Sequence, residues 1–246
     1  MTPPSALDKR YKTSHWEYDG PLGVKHWHEE FAHCGKEAQS PINIQTQYVH
    51  YDRSLKPVRL KGYSDPQCNT FHLSNNGHTV QMELPSTMVI SSLPKRYRAT
   101  QLHFHWGSLV WPSGSEHLID GERAPAELHI VHYNTEKYRN MSEAMTKPDG
   151  LVVLGILLEV GNLKNPAYEN ILSHLESVTF AECPLDCIPS ASAFVPFPVQ
   201  DPEDWAVPYA PRHHAKTTAG QQLPRSSAPR EPAGEGLFPR GCCLTC

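Results

Sequence analysis

The chain has no apolar run long enough to cross a membrane as a helix. Its longest, Leu151 to Leu158, stops far short of the roughly 20 residues needed. It has no excess of positive charge: 22 Lys and Arg face 26 Asp and Glu, a net charge of −4, which excludes a general nucleic-acid binder built on a basic face. The start, Met1 to Arg10, lacks the apolar stretch of a secretory signal and reads as no signal peptide. No internal repeat is visible, which excludes solenoids and propellers. Cysteine is sparse in the first 180 residues, where only Cys34 and Cys68 occur, and the total of seven cannot all pair internally.

Histidine and proline are abundant, 15 and 23 in 246 residues, and both are unevenly spread. Thirteen His and 12 Pro precede residue 181, while the shorter remainder holds two His, 11 Pro and five Cys. At about 150 residues per domain the length allows one large domain or two small ones, enough to bury a core without staples. The composition places one domain over 1–180 and an atypical Pro/Ser/Cys-rich tail over 181–246, expected to be disordered. Asn140-Met-Ser142 is a glycosylation sequon that has meaning only in a secreted chain.

The body reads as short strands divided by turn residues. Val58–Tyr63, Phe71–Leu73, Val80–Leu84 and Met88–Ile90 are β-type runs, and Asn75-Asn-Gly-His78 is a turn signal. Gln101–Trp106 and Glu127–Tyr133 alternate polar and apolar residues, and Leu151–Val160 fits a buried strand. Asn165–His174 fits one helix with Pro166 in its first turn and Tyr168, Ile171, Leu172 and Leu175 on one side. Residues 1–40 read as irregular chain, and Ala191–Val199, interrupted by two prolines, is at best an edge strand. The fold expected is mainly β.

Two segments carry chemistry. In Gln101-Leu-His-Phe-His-Trp106, residues two apart share a strand face, so Gln101, His103 and His105 line one side while Leu102, Phe104 and Trp106 line the other. In Glu127-Leu-His-Ile-Val-His132, Glu127, His129 and Val131 share a face. If the two strands are neighbours, His129 closes a three-nitrogen site. Three neutral imidazoles with one position left open form the ligand set of a catalytic zinc, which lowers the pKa of bound water from 15.7 to about 7. Such histidines need the second ring nitrogen held by an acceptor, and Gln101 and Glu127 lie on the right faces to hold His103 and His129. An isolated His-x-His is more often a pair of surface histidines. The upstream Gln and the downstream Glu-x-His turn that reading round.

At these residues the sequence resembles the α-carbonic anhydrases. The resemblance runs through His15-Trp-Glu-Tyr18, His26-Trp27, Gln39-Ser-Pro-Ile-Asn43, Asn75-Asn-Gly-His78, Gln101–Gly107, Gly114-Ser-Glu-His117, Glu127–Asn134, Pro148-Asp-Gly-Leu151 and Ile171-Leu-Ser-His174. It implies a twisted, mostly antiparallel central sheet, zinc (Zn2+) as cofactor, and reversible hydration of carbon dioxide to bicarbonate and a proton. On matching positions it implies that His103, His105 and His129 bind the zinc. It implies that His78 is a proton shuttle, for which an imidazole's ordinary pKa near 6.5 is suited. Tyr18, Asn76 and Gln81 match residues that order the shuttle's water, and Val131 and Val153 match the apolar wall beside which carbon dioxide sits. Glu116 matches the carboxylate that orients a gatekeeper threonine hydroxyl.

Cys34 resembles the secreted and membrane-anchored vertebrate branch, where that cysteine is usually bonded to one far downstream. The branch implies an extracellular or secretory setting, and the start as written implies a cytoplasmic one. Past about residue 180 the resemblance stops. The family's Ser-Leu-Thr-Thr-Pro-Pro segment is not recognisable, and Thr217-Thr218 lies in a different context, so the C-terminal part of the fold is expected to be missing and the activity weakened. The alternative reading is a zinc-binding but inactive relative or an unstable splice product. The expected partner is the small-molecule substrate, with no nucleic acid and no transmembrane segment, and the oligomeric state is left open.

Overall fold

A computed structural model describes residues 16–18, 20–64, 70–108 and 110–180, together with the backbone of 185–189. The readings placed on Ala191–Val199, the tail cysteines Cys183, Cys242, Cys243 and Cys246, Thr217-Thr218 and 211–246 lie outside the described residues. The chain divides into two compact units after Ile42. The first is irregular, as its Gly and Pro predict, with one short helix, α1 (Trp27–Glu30), between 3-10 turns. Its order comes from aromatic packing. Trp16 meets Tyr18 and Trp27 edge-on, with ring centroids 5.3 and 5.1 Å apart, and the Trp27 indole N–H donates to the Glu17 carbonyl at 2.9 Å. Cys34 is an exposed thiol.

The second unit is built from strands. In chain order they are β1 (Asn43–Ile44), β2 (Leu60–Lys61), β3 (Thr70–Asn75), β4 (Val80–Glu83), β5 (Val89–Ile90) and β6 (Tyr97–Trp106). Then come β7 (Leu118–Ile119), β8 (Glu122–Arg123), β9 (Ala126–Asn134), β10 (Leu151–Leu158) and β11 (Leu185–Pro189). Strands β1, β7 and β8 form a small sheet. The main sheet runs β10-β9-β6-β4-β3-β11, with β5 joining β2 to β6, and all its pairings are antiparallel. The fold is therefore mainly β with few short helices. Strand β2 ends earlier than its β-type run suggests, because Gly62 takes φ 75° and a Cβ there would lie 2.3 Å from the Thr87 carbonyl oxygen.

One face of the main sheet is dry. Leu73, Met82, Leu102, Leu128 and Ile130 are buried on it, covered by Ile171, Val178 and Tyr168 from the segment of α3 (Pro166–Leu172) and the turn after it. Truncating one of the central leucines to Ala would cost about 2–5 kcal/mol. Asn165 caps α3, its Oδ1 accepting from the Ala167 N–H at 3.0 Å, and Pro166 fills the first turn. Leu172, expected on the inward side, is 56% exposed. It lies about 100° round the helix from Ile171, off the stripe that Tyr168 and Ile171 occupy.

A bulge at Thr100 sets the opposite face. The β6–β9 register changes between Ala99, opposite His132, and Gln101, opposite Val131. The extra residue lets Ala99 share the dry face with Leu102 three positions on, and turns Gln101, His103 and His105 to the other side. Trp106, expected to follow Leu102 and Phe104 into the core, is 41% exposed because it closes the strand beyond the core's edge.

Candidate metal centre

The wet face of the main sheet carries three rows of side chains. In the middle row Gln81 pairs with His103, His103 with His129, and His129 with Gly155, across β4, β6, β9 and β10. One row over lie Gln101, Val131 and Val153, and on the other side His105, Glu127 and Leu157. The two alternating segments are thus neighbours in the register that brings the three histidines together. The ring centroids of His103, His105 and His129 are 5.0, 5.2 and 4.7 Å apart. One ring nitrogen from each lies within 4.8 Å of the others, so the three could hold a metal ion.

The second ring nitrogens are held as a metal site requires. His103 Nδ1 donates to Gln101 Oε1 at 2.9 Å, which leaves Nε2 as its lone-pair atom. His129 Nε2 donates to Glu127 Oε1 at 2.8 Å, which leaves Nδ1. His105 Nε2 is buried and has no hydrogen-bond partner. A buried, unpartnered ring nitrogen beside the lone-pair nitrogens of His103 and His129 fits a bound cation, because such an atom is otherwise costly to bury.

Electrostatics favour neutral ligands. Burial, with the neighbouring His105 and His129 adding to it, pushes His103 down to about 4. Burial and His129 do the same to His105, also to about 4. Glu127 is 1% exposed yet held well below the usual carboxylate range. Burial works to raise it, but four donors outweigh that. Oε2 accepts from the Glu116 and His117 backbone N–H groups at 2.8 Å each, and Oε1 from His117 Nδ1 at 2.6 Å and from His129. Its hydrogen bond to Glu127 raises His117 in turn. Burial, with Glu127 adding and His129 opposing, raises the Glu116 carboxyl.

The eukaryotic-type carbonic anhydrase family model matches residues 22–199. The chain belongs to this family. It is 46% identical over 167 residues to human carbonic anhydrase 12, covering 68% of this chain and 47% of that protein. It is 45% identical over 171 residues to human carbonic anhydrase 6, covering 68% of this chain and 55% of that protein. Carbonic anhydrase 6 of Bos taurus is 45% identical over 170 residues, 68% of this chain and 53% of that protein. The chain spans about half the length of the curated relatives it matches.

The other residues singled out in this carbonic anhydrase sequence are spread more widely. Asn76 accepts from the His78 and Thr79 backbone N–H groups at 3.0 Å each, and so shapes the β3–β4 turn that carries His78. Gln81 stands directly opposite His103. Val131 is buried and Val153, its ladder partner, is 46% exposed. Glu116 places Oε2 3.4 Å from His105 Nε2 and 3.8 Å from His129 Nδ1. Tyr18 belongs to the first unit, among Trp16 and Trp27. No described helix is long and apolar enough to cross a membrane.

Sequence reasoning missed three contributors. His117 is the second imidazole on Glu127, and with Glu127 and His129 it forms another cluster that could hold a metal. Thr79 ties the His78 turn to β6: its hydroxyl donates to the carbonyl of Phe104, which lies between His103 and His105. Gly155 makes room for Glu127, since a Cβ there would lie 2.9 Å from Oε1. Only Gly155 left a trace, as the one glycine inside Leu-Val-Val-Leu-Gly-Ile-Leu-Leu, a position that marks close approach.

Proposed function

We propose that this chain is the zinc-binding part of a carbonic anhydrase and hydrates carbon dioxide reversibly, CO2 and water giving bicarbonate and a proton. The observation that carries the reading is the convergence of three imidazole lone-pair nitrogens, two of them oriented by Gln101 and Glu127. A bound zinc supplies Lewis acidity that brings the pKa of water from 15.7 to about 7. His103 and His105 offer Nε2 and His129 offers Nδ1, and the low proton affinity of His103 and His105 keeps both free for the ion near neutral pH. Val131 and Val153, directly opposed on the same face, give an apolar wall that favours carbon dioxide over water. His78 takes up the released proton at a ring nitrogen and passes it to buffer. Asn76 sets its turn, and Gln81 orders water on its path.

Stopped-flow hydration of carbon dioxide by the zinc-loaded chain tests this. Activity that is lost on chelation and in His129→Ala is expected, and a rate unchanged by His129→Ala would overturn it. A second reading, a zinc-binding relative without hydratase activity, is favoured by the closeness of Glu116 Oε2 to two ligand nitrogens. A folded sample with one zinc per chain and no hydration would select it.

A further inference from the structure

We propose that Asn140 is an acceptor for one N-linked glycan, borne on its amide nitrogen while its amide oxygen goes on holding the turn that starts α2 (Met141–Ala144). The inference stands apart from the metal centre, since it needs neither the three histidines nor a bound ion.

The sequence supplies the acceptor motif once. Asn140-Met-Ser142 has its hydroxyl residue two places on with no proline between, and no other Asn in the chain has Ser or Thr at that spacing. The structure places this motif where a transferase and a bulky glycan have room. Asn140 and Ser142 are both exposed in the connection between β9 and β10, and Asn140 has extended backbone, φ −151° and ψ 171°. The short helix turns its other side inward, where Ala144 is buried against Tyr133 and Tyr138. Tyr133 lies four residues along β9 from His129, about 14 Å at strand spacing, so a glycan on the outer side of α2 leaves the metal centre open.

The two ends of the Asn140 amide have separate tasks. Oδ1 accepts from the Glu143 N–H at 2.9 Å and so caps α2. Glu143 reaches back, with Oε2 accepting from the Arg139 N–H at 3.1 Å, which anchors the chain on both sides of the motif. Nδ2 makes no hydrogen bond to a described residue, and neither does the Ser142 hydroxyl. The donor would be an oligosaccharide joined to a lipid through pyrophosphate. The bond from Nδ2 to the sugar C1 forms as the bond from C1 to the pyrophosphate oxygen breaks. The lipid pyrophosphate leaves with the bonding pair, and Nδ2 gives up one proton. The product is still an amide, so Oδ1 remains an acceptor and the cap survives the modification.

The test translates the full chain behind a cleavable secretory signal with microsomes, and protease then removes any chain left outside them. The protected chain is expected to carry the mass of one glycan, removable by peptide N-glycosidase, and to lack it in Asn140→Gln and in Ser142→Ala. Transfer to the emerging chain precedes folding, so a variant that folds poorly still reports. Protected chain without a glycan, or a glycan that persists in either variant, would overturn the acceptor site. The division of the amide is read on chain made without glycan. Asn140→Asp, which keeps an acceptor oxygen, should hold the urea midpoint of the unaltered chain, and Asn140→Ala should lower it. A midpoint lowered as far by Asn140→Asp as by Asn140→Ala would overturn the shared role of this side chain.

Discussion

Gly155 stands directly across from His129 in the β9–β10 ladder, and a methyl group on its Cα would lie 2.9 Å from Glu127 Oε1. That oxygen is the end of a side chain, but four hydrogen bonds fix the carboxylate, two of them on Oε1, so it cannot swing aside cheaply. Gly155→Ala should therefore displace Glu127 from His129 and weaken zinc binding by about 10- to 100-fold, the range seen when the partner of a metal-binding histidine is lost. Chelator competition reads the effect directly, and an unchanged zinc affinity would show that Glu127 has more freedom than its bonds suggest.

The metal-free chain should lose stability on mild acidification. His103, His105 and His132 are each pushed down to about 4 in the fold, chiefly by burial, against about 6.5 in the unfolded chain. Between these values the unfolded chain binds protons that the folded chain refuses. The stability present above about pH 6.5 is therefore lost as pH falls toward 4. Glu127, also lowered, adds a further loss below about 4.5, the ordinary value it regains on unfolding. Urea midpoints at pH 8, 6 and 5 in the presence of a chelator should fall in that order. A midpoint constant over this range would contradict the burial assigned to these histidines.

A second prediction about stability concerns the dry face. Tyr63, 4% exposed, reaches His132, which is fully buried, with its hydroxyl 2.5 Å from Nε2, and His132 Nδ1 donates to the Ile130 carbonyl at 2.9 Å. Tyr63→Phe leaves Nε2 an acceptor with no donor, at a cost of about 1–3 kcal/mol. Chemical denaturation of the variant checks this, and a change below about 0.5 kcal/mol would mean that another donor replaces the hydroxyl.

His78→Ala addresses proton transfer separately from metal binding. If His78 moves the proton, its removal should slow hydration on the order of 10²-fold in dilute buffer. Zinc affinity should stay as it was, and added imidazole buffer should restore part of the rate. A loss that no buffer recovers would point instead to damage in the turn that Asn76 and Thr79 build.

The face that carries the candidate metal site was legible because strand geometry converts alternate residues into a single surface. Gln101, His103 and His105, with Glu127 and His129, needed only adjacency in the right register to meet. The bulge at Thr100 that supplies this register left no mark beyond the point where the alternation begins. His117 and Thr79 were hidden for another reason: each acts through a contact made across the fold, to Glu127 and to Phe104, and neither sits in a periodic pattern. The small sheet of β1, β7 and β8 escaped as well. Its two-residue strands are too short to show a period, and polar contacts help to set its place, such as Asp120 Oδ2 accepting from the Thr46 hydroxyl at 2.7 Å.

Zinc stoichiometry, measured by equilibrium dialysis against trace free zinc and elemental analysis of the folded chain, tests the central claim most directly. One zinc per chain is predicted for the unaltered protein, with the fraction bound falling steeply in each of His103→Ala, His105→Ala and His129→Ala. A folded chain that takes up no zinc, or one that keeps full occupancy when any of these histidines is removed, would contradict it.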